Sequence, residues 1–236
     1  MKDIFRFKQF SINQQGCAMK IGMDAMVLGA LAQPGDAQNI LDIGTGTGVL
    51  ALMLAQKCPD AIIDAIEPDD TMAARATQNF ENSPWGYRLT LYNEQLQQYT
   101  NLGIIHYEYI VCNPPYFEPS PTTPAGRDKA RSWVSLTFTE LFRYAERLLA
   151  AEGKMGVVFP ETESAKIFDA AAAVGLYPIR QVLVSSFENS PIIRRVAEFG
   201  RIKSTGTNET LFIYKEDKTW SDAYTQLTAD FHNRQK

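Results

Sequence analysis

The apolar run YEYIVC, residues 107–112, ends in Asn113-Pro114-Pro115-Tyr116, a costly tetrapeptide to keep for structure alone. Two successive prolines donate no backbone hydrogen bond and fix two φ angles, so the turn they make is rigid. Such a turn can hold the Asn113 side-chain oxygen and a neighbouring backbone carbonyl as two acceptors aimed at one amine. The Tyr116 ring offers a face on which a planar group stacks. An amine attached to an aromatic ring is a poor nucleophile because its lone pair is delocalised. Two acceptors on its hydrogens favour the tetrahedral geometry that can attack an electrophile, so the chemistry becomes positioning and electrostatics. Neither a histidine base nor a metal is needed. His106 and His232 read as a strand-edge and a tail residue, and neither is assigned a catalytic role.

A second constellation lies upstream. Residues 40–50 read ILDIGTGTGVL, a buried strand carrying Asp42, then Gly44, Gly46 and Gly48, then the start of an apolar helix. Glycines at a strand-to-helix turn let the backbone approach a ligand closely. A dinucleotide fingerprint would need glycine at position 49, which is Val49. The G-x-G-x-G spacing after a strand acid instead suits S-adenosylmethionine, which has no pyrophosphate to seat on the helix. Glu67 ends the next apolar run, IIDAI, where a doubly wound fold places an acid to accept both ribose hydroxyls; the bland alternative is a surface carboxylate. Asp42 faces the amino-acid end of the cofactor, either holding loop amides or contacting the ligand ammonium.

The elements that must position these groups follow from periodicity. Strands are expected at 38–43, 61–66, 88–92, 107–112 and 154–159, alternating with helices near 47–57, 69–82, 138–150 and 161–174. That alternation predicts an α/β fold with a doubly wound, mostly parallel sheet. After Gly175 three strand-like segments, 177–185, 194–202 and 209–215, follow without helices and predict an antiparallel C-terminal edge. Ahead of the sheet, residues 4–12, a turn at Asn13 to Gly16 and then Cys17 to Ile21 read as a hairpin. Asp24 is placed to cap the helix that follows, and a terminal helix is expected between Trp220 and Phe231. The one long non-periodic connection, Glu118 to Arg131, is of a length usually functional or mobile.

With 236 residues, 45% of them hydrophobic, one domain is expected overall: residues 1–33 as a hairpin and helix packed on a core formed by 34–236. No stretch is long and apolar enough for a membrane span. Cys17, Cys58 and Cys112 are odd in number and lack a C-x-x-C pair, which argues against zinc and a disulfide framework and for a reducing, cytoplasmic setting. The net charge of −4 does not favour nucleic acid, yet basic residues cluster at Lys2, Arg6 and Lys8, at Arg127, Lys129 and Arg131, and at Arg194, Arg195, Arg201 and Lys203. From charge alone, solvated faces are the simpler account.

The tetrapeptide NPPY resembles the signature of methyltransferases that act on planar amino or amide nitrogens, among them adenine-N6 enzymes and release-factor glutamine methyltransferases. Within that set, residues 7–32, RDKAR at 127–131, RRVAEFG at 194–200 and WSDAYTQLTADFH at 220–232 resemble the bacterial tRNA1(Val) (adenine-37-N6)-methyltransferase family, so the similarity runs from end to end. The resemblance implies a Rossmann-like methyltransferase fold with a seven-stranded type of sheet, S-adenosylmethionine as cofactor, and methylation of an adenine beside the anticodon. The partner would be the anticodon loop of a tRNA, with no membrane and no obligate protein partner. It further implies Asn113, Pro114 and Tyr116 as catalytic and Pro115, Arg127, Arg131 and Arg194 as substrate-binding. Where the family tends to carry an acid for the cofactor adenine, this chain has Gln95, with Asn93 and Glu94 beside it. The competing expectations are a protein glutamine methyltransferase using the same tetrapeptide, a nicotinamide-dependent oxidoreductase, which Val49 and NPPY disfavour, and a non-catalytic RNA-binding module.

Overall fold

In the computed structural model, which describes residues 3–17, 20–102, 105–114, 136–203 and 206–232, the chain opens with β1 (Ile4–Arg6) and β2 (Ser11–Asn13) paired antiparallel. The hairpin thus turns earlier than the sequence suggests. Phe7 donates its N–H to the Phe10 carbonyl at 2.9 Å and the two rings stack at 4.2 Å, so the reversal falls at Lys8-Gln9 and not at Asn13 to Gly16. Asn13 is taken instead by a side chain of a later helix, described below.

Helix α1 (Met23–Leu31) follows, with Gly22 and not Asp24 at its N-cap. Nine residues would not hold a helix in water. Burial of every residue from Ala25 to Leu31 does, each large apolar side chain contributing roughly 1.5–3 kcal/mol. Its last carbonyls, on Gly29, Ala30 and Ala32, accept from the Lys57 ammonium, whose pKa burial lowers.

Then come β3 (Asn39–Ile43), α2 (Val49–Lys57), β4 (Ile62–Ile66), α3 (Asp70–Glu81), β5 (Leu89–Tyr92), α4 (Leu96–Leu102) and β6 (Tyr107–Cys112). Asp69 caps α3 through the N–H groups of Thr71 and Met72. The short α4 has no counterpart in the periodicity, since Leu96 and Tyr99 are its only large side chains known to be buried. Beyond the undescribed segment that contains 118–131 lie α5 (Phe138–Leu148), started by a Thr137–Glu140 capping box, and β7 (Leu149–Pro160), which begins earlier than expected. The chain ends with α6 (Ser164–Ala172), β8 (Tyr177–Ser185), β9 (Ile192–Gly200), β10 (Thr207–Phe212) and α7 (Asp222–Leu227).

The main sheet has the order β10-β8-β9-β7-β6-β3-β4-β5. From β7 to β5 every pair is parallel, as the alternation of strands and helices requires. β9 runs antiparallel between β7 and β8, while the eighth strand, β10, lies parallel to β8 and departs from the expected antiparallel pairing. Alternate residues part to opposite faces: Ile40, Tyr109, Val111 and Val158 pack with α1, α2 and the hairpin, whereas Leu41, Ile110, Val157 and Phe159 pack with α5 and α6. The tail docks on the hairpin, with Phe7 bridging His232 and the Lys8 N–H donated to Phe231 at 3.0 Å. Strand order reverses between β3 and β6, so a crevice opens beyond their carboxyl ends.

Candidate active site

Gly44, Gly46 and Gly48 form the turn that leaves β3 at this crevice, with φ of 72°, 57° and 84°. An L side chain there costs roughly 1–2 kcal/mol per residue. At Gly48 space is also lacking, because a Cβ would meet the Phe80 ring at 2.5 Å. The turn's amides point inward: Gly44 and Thr45 donate to the Ile66 carbonyl at 2.9 and 3.0 Å, Gly48 donates to Thr45 at 2.9 Å, and Gly46 donates to Glu67 Oε2 at 2.9 Å. A pyrophosphate needs such amides free, so this turn suits a ligand that brings no phosphate.

Asp42 is fully buried beneath the turn. Its Oδ2 accepts from the Thr45 hydroxyl at 2.6 Å and from the Ala51 N–H at 3.0 Å, while Oδ1 has no partner among the described residues. Of the two roles open to it, Asp42 fills that of holding the turn and the helix start, and does so with one of its two oxygens. Burial pushes its pKa up to about 7, with the charge of Glu67 adding to the rise. Glu67 is 3% exposed and accepts from Gly46 on one oxygen and from the Asp69 N–H at 3.0 Å on the other. The Glu67 carboxylate, with the Asp42 acid beneath the turn, disfavours a pyrophosphate and suits a cation with hydroxyls, which is the chemistry of S-adenosylmethionine.

At the end of β5, the Asn93 amide donates to the Glu67 carbonyl at 3.1 Å, so it ties the two strand ends together. Glu94 is half-buried and Gln95 exposed, its backbone carbonyl starting α4 by accepting from Gln98 and Tyr99.

Across the crevice, Cys112 of β6 pairs in register with Ile43 of β3, which brings Asn113 beside Gly44. Asn113 is half-buried and Pro114 buried. Full burial drives the Cys112 thiol well above its usual range, which removes it as a nucleophile. Pro115, Tyr116, Arg127 and Arg131 lie outside the described residues.

Arg194, near the start of β9, lies opposite Pro160 at the end of β7. Its Nε donates to both carboxylate oxygens of Asp24 at 2.9 and 3.0 Å, a partnership that explains why Asp24 does not cap its own helix. Arg195 is paired with Glu161 and Arg201 with Glu146, while Lys203 lies 5.7 Å from the centre of the Tyr177 ring. His232 stacks on Trp220 at 4.4 Å in the docked tail, and His106 is exposed. Among the described residues no helix is long and apolar enough to cross a membrane.

Two groups of this site were not singled out from the sequence. Thr45 and Thr47 are buried within the glycine turn, and Asn79 of α3 donates to the Thr47 carbonyl at 2.8 Å. An asparagine inside a helix carries no signal of such a contact.

A family model described as the methyltransferase small domain matches residues 21–167. The tRNA1(Val) (adenine(37)-N6)-methyltransferase of Bacteroides fragilis is 40% identical over 230 residues, 97% of each chain. Its counterpart in Pedobacter heparinus is 39% identical over 232 residues, 98% of each chain. Among solved structures, a predicted O-methyltransferase, protein Atu636 from Agrobacterium tumefaciens, matches with a TM-score of 0.68 at 18% identity, over 88% of this chain and 96% of that one. TYW2 of P. horikoshii, in complex with MeSAdo, matches with a TM-score of 0.57 at 12% identity, over 84% of this chain and 71% of that one. At such identities the two structures speak for a shared fold.

Proposed function

The chain belongs to the family of tRNA1(Val) (adenine(37)-N6)-methyltransferases, and from that premise we propose that its crevice methylates the N6 amine of adenine 37 in a valine tRNA. It is an enzyme of tRNA modification. Similarity along 98% of the chain to an enzyme so named carries this reading, with Asn113 beside the glycine turn as its structural support. The protein-glutamine alternative is not favoured, since these whole-length relatives are named for tRNA.

Bound S-adenosylmethionine would supply an electrophilic methyl group on a sulfonium. The turn of Gly44, Gly46 and Gly48 would bring backbone close to it, Glu67, joined by Asp42 once a bound cation draws off its proton, would bring the negative charge that suits its cationic and hydroxyl groups, and Gln95 or Glu94 would receive its adenine amine. The Asn113 oxygen and the Pro114 carbonyl accept from the target amine and hold its nitrogen tetrahedral. Tyr116 stacks the base once it has left the anticodon-loop stack, with Pro115 beside it. Arg127, Arg131 and Arg194 meet the RNA phosphates, Arg194 with the donors not spent on Asp24 and the Ile193 carbonyl. Residues 1–33 and 34–236 work as one domain, in a reducing cytoplasm that suits three free cysteines.

Incubation with labelled cofactor and total tRNA from a strain lacking the protein, followed by mapping of the labelled nucleoside, tests this directly. Label at N6 of adenine 37 is expected. Label on protein glutamine, or none, would overturn it.

A further inference from the structure

The glycine turn is held to the protein at four of its peptides by acceptors within the sheet and the turn itself, but the Thr47 carbonyl is held from elsewhere. Thr47 sits between Gly46 and Gly48, two residues with positive φ and no side chain to fix the peptide planes. Its carbonyl accepts from Asn79 Nδ2 at 2.8 Å. The same Asn79 amide, 3% exposed, closes a two-way bond with β2: its Oδ1 accepts the Asn13 N–H at 2.9 Å, and Nδ2 also donates to the Asn13 carbonyl at 3.1 Å. One turn earlier on the same helix face, Arg75 donates to the Gln15 carbonyl at 2.9 Å. Gln14 Oε1 accepts the Ile21 N–H at 3.0 Å and delivers the chain to α1 and to Asp24.

We propose that Asn79 is a positioning residue for the cofactor, coupling the N-terminal strand β2 to the glycine turn. The inference rests on the assignment of that turn to S-adenosylmethionine. Through one planar amide, the orientation of the 47–48 peptide and the seating of the hairpin become a single arrangement. A ligand that orders the turn therefore orders the hairpin, and loss of the hairpin contact loosens the ligand, since such coupling is reciprocal.

The test uses S-adenosylhomocysteine as probe. In the wild type, hydrogen exchange of the amides in β1 and β2 should slow on adding it. In Asn79→Ala the probe's Kd should rise roughly ten- to hundredfold, as expected when a buried carbonyl loses its donor. The KM for cofactor should rise in step, with kcat at saturating cofactor within roughly threefold of wild type. The ligand-dependent slowing in the hairpin should vanish. Asn82→Ala, which removes an exposed amide bonded to Gln78 on the same helix, should leave all of these unchanged. A folded Asn79→Ala protein that binds the probe as wild type does would overturn the proposal, because a purely structural amide would lower stability and leave affinity alone. Should that variant fail to fold, wild-type exchange decides: a hairpin indifferent to bound probe refutes the coupling. Absence of probe binding by the wild type would instead refute the assignment of the turn itself.

Discussion

Replacing Asp42 by Asn removes a buried carboxylate with almost no change of shape, and its effect on stability should depend on pH. Desolvation, with a smaller push from the Glu67 charge, raises the Asp42 pKa from 3.8 to about 7. The folded chain therefore favours the neutral acid. Stability from this group is fully present below the unfolded value of 3.8 and is lost as the pH rises through about 7. At about 1.4 kcal/mol for each tenfold change in proton affinity, the loss is on the order of 4 kcal/mol. Asparagine does not titrate, and its carbonyl keeps the bonds from the Thr45 hydroxyl and the Ala51 N–H. Its amide nitrogen would stand where Oδ1 has no partner, at a cost of about 1–3 kcal/mol. The ligand-free variant should thus exceed the wild type by about 1–3 kcal/mol near pH 8, an advantage that shrinks as the pH falls toward about 5. Urea denaturation of both proteins across that range measures the difference. A flat difference would refute the burial argument. A cation bound beside Asp42 should also draw its pKa back down, so wild-type binding near neutral pH releases protons, read by calorimetry in buffers of different ionisation enthalpy, and variant binding does not.

Asn113→Ala should lower kcat roughly a hundredfold or more while cofactor affinity holds, because its acceptor matters most as the amine turns tetrahedral; wild-type turnover by a folded, cofactor-bound variant would sink the amine-activation mechanism. Glu67→Gln keeps an acceptor for the Gly46 or Asp69 amide but loses the charge, and should weaken S-adenosylhomocysteine by roughly 1.5–3 kcal/mol; unchanged affinity by calorimetry would count against ribose binding. Arg194→Ala should raise the KM for tRNA and reduce the salt slope of binding by about one phosphate contact. An untouched slope would leave Arg194 with no role beyond its pair with Asp24.

Legibility in the sequence followed how local each constraint is. Positive φ at positions 44, 46 and 48 restricts the residue type at each one, so the turn is visible as three glycines. β3, β4 and β6 begin and end within a residue of their apolar runs, because strands inside the sheet, covered on both faces, demand nearly unbroken hydrophobicity. The hairpin was legible as a hairpin but not in its register. Which residues reverse was settled by the stacking of Phe7 on Phe10 and by Asn79 claiming Asn13.

By itself, then, the amino-acid sequence determined the parallel α/β layers, the glycine turn, the Asn113 tetrapeptide and, through similarity along its whole length, the family. Only the tertiary structure decided that β10 joins β8 in parallel, that Arg194 answers Asp24, and that Asn79 ties β2 to Thr47. The reason is physical. Periodicity and turn chemistry act between neighbours and leave a pattern in residue types, whereas an amide in α3 that bonds a strand 66 residues away looks, in sequence, like any other polar residue on a helix.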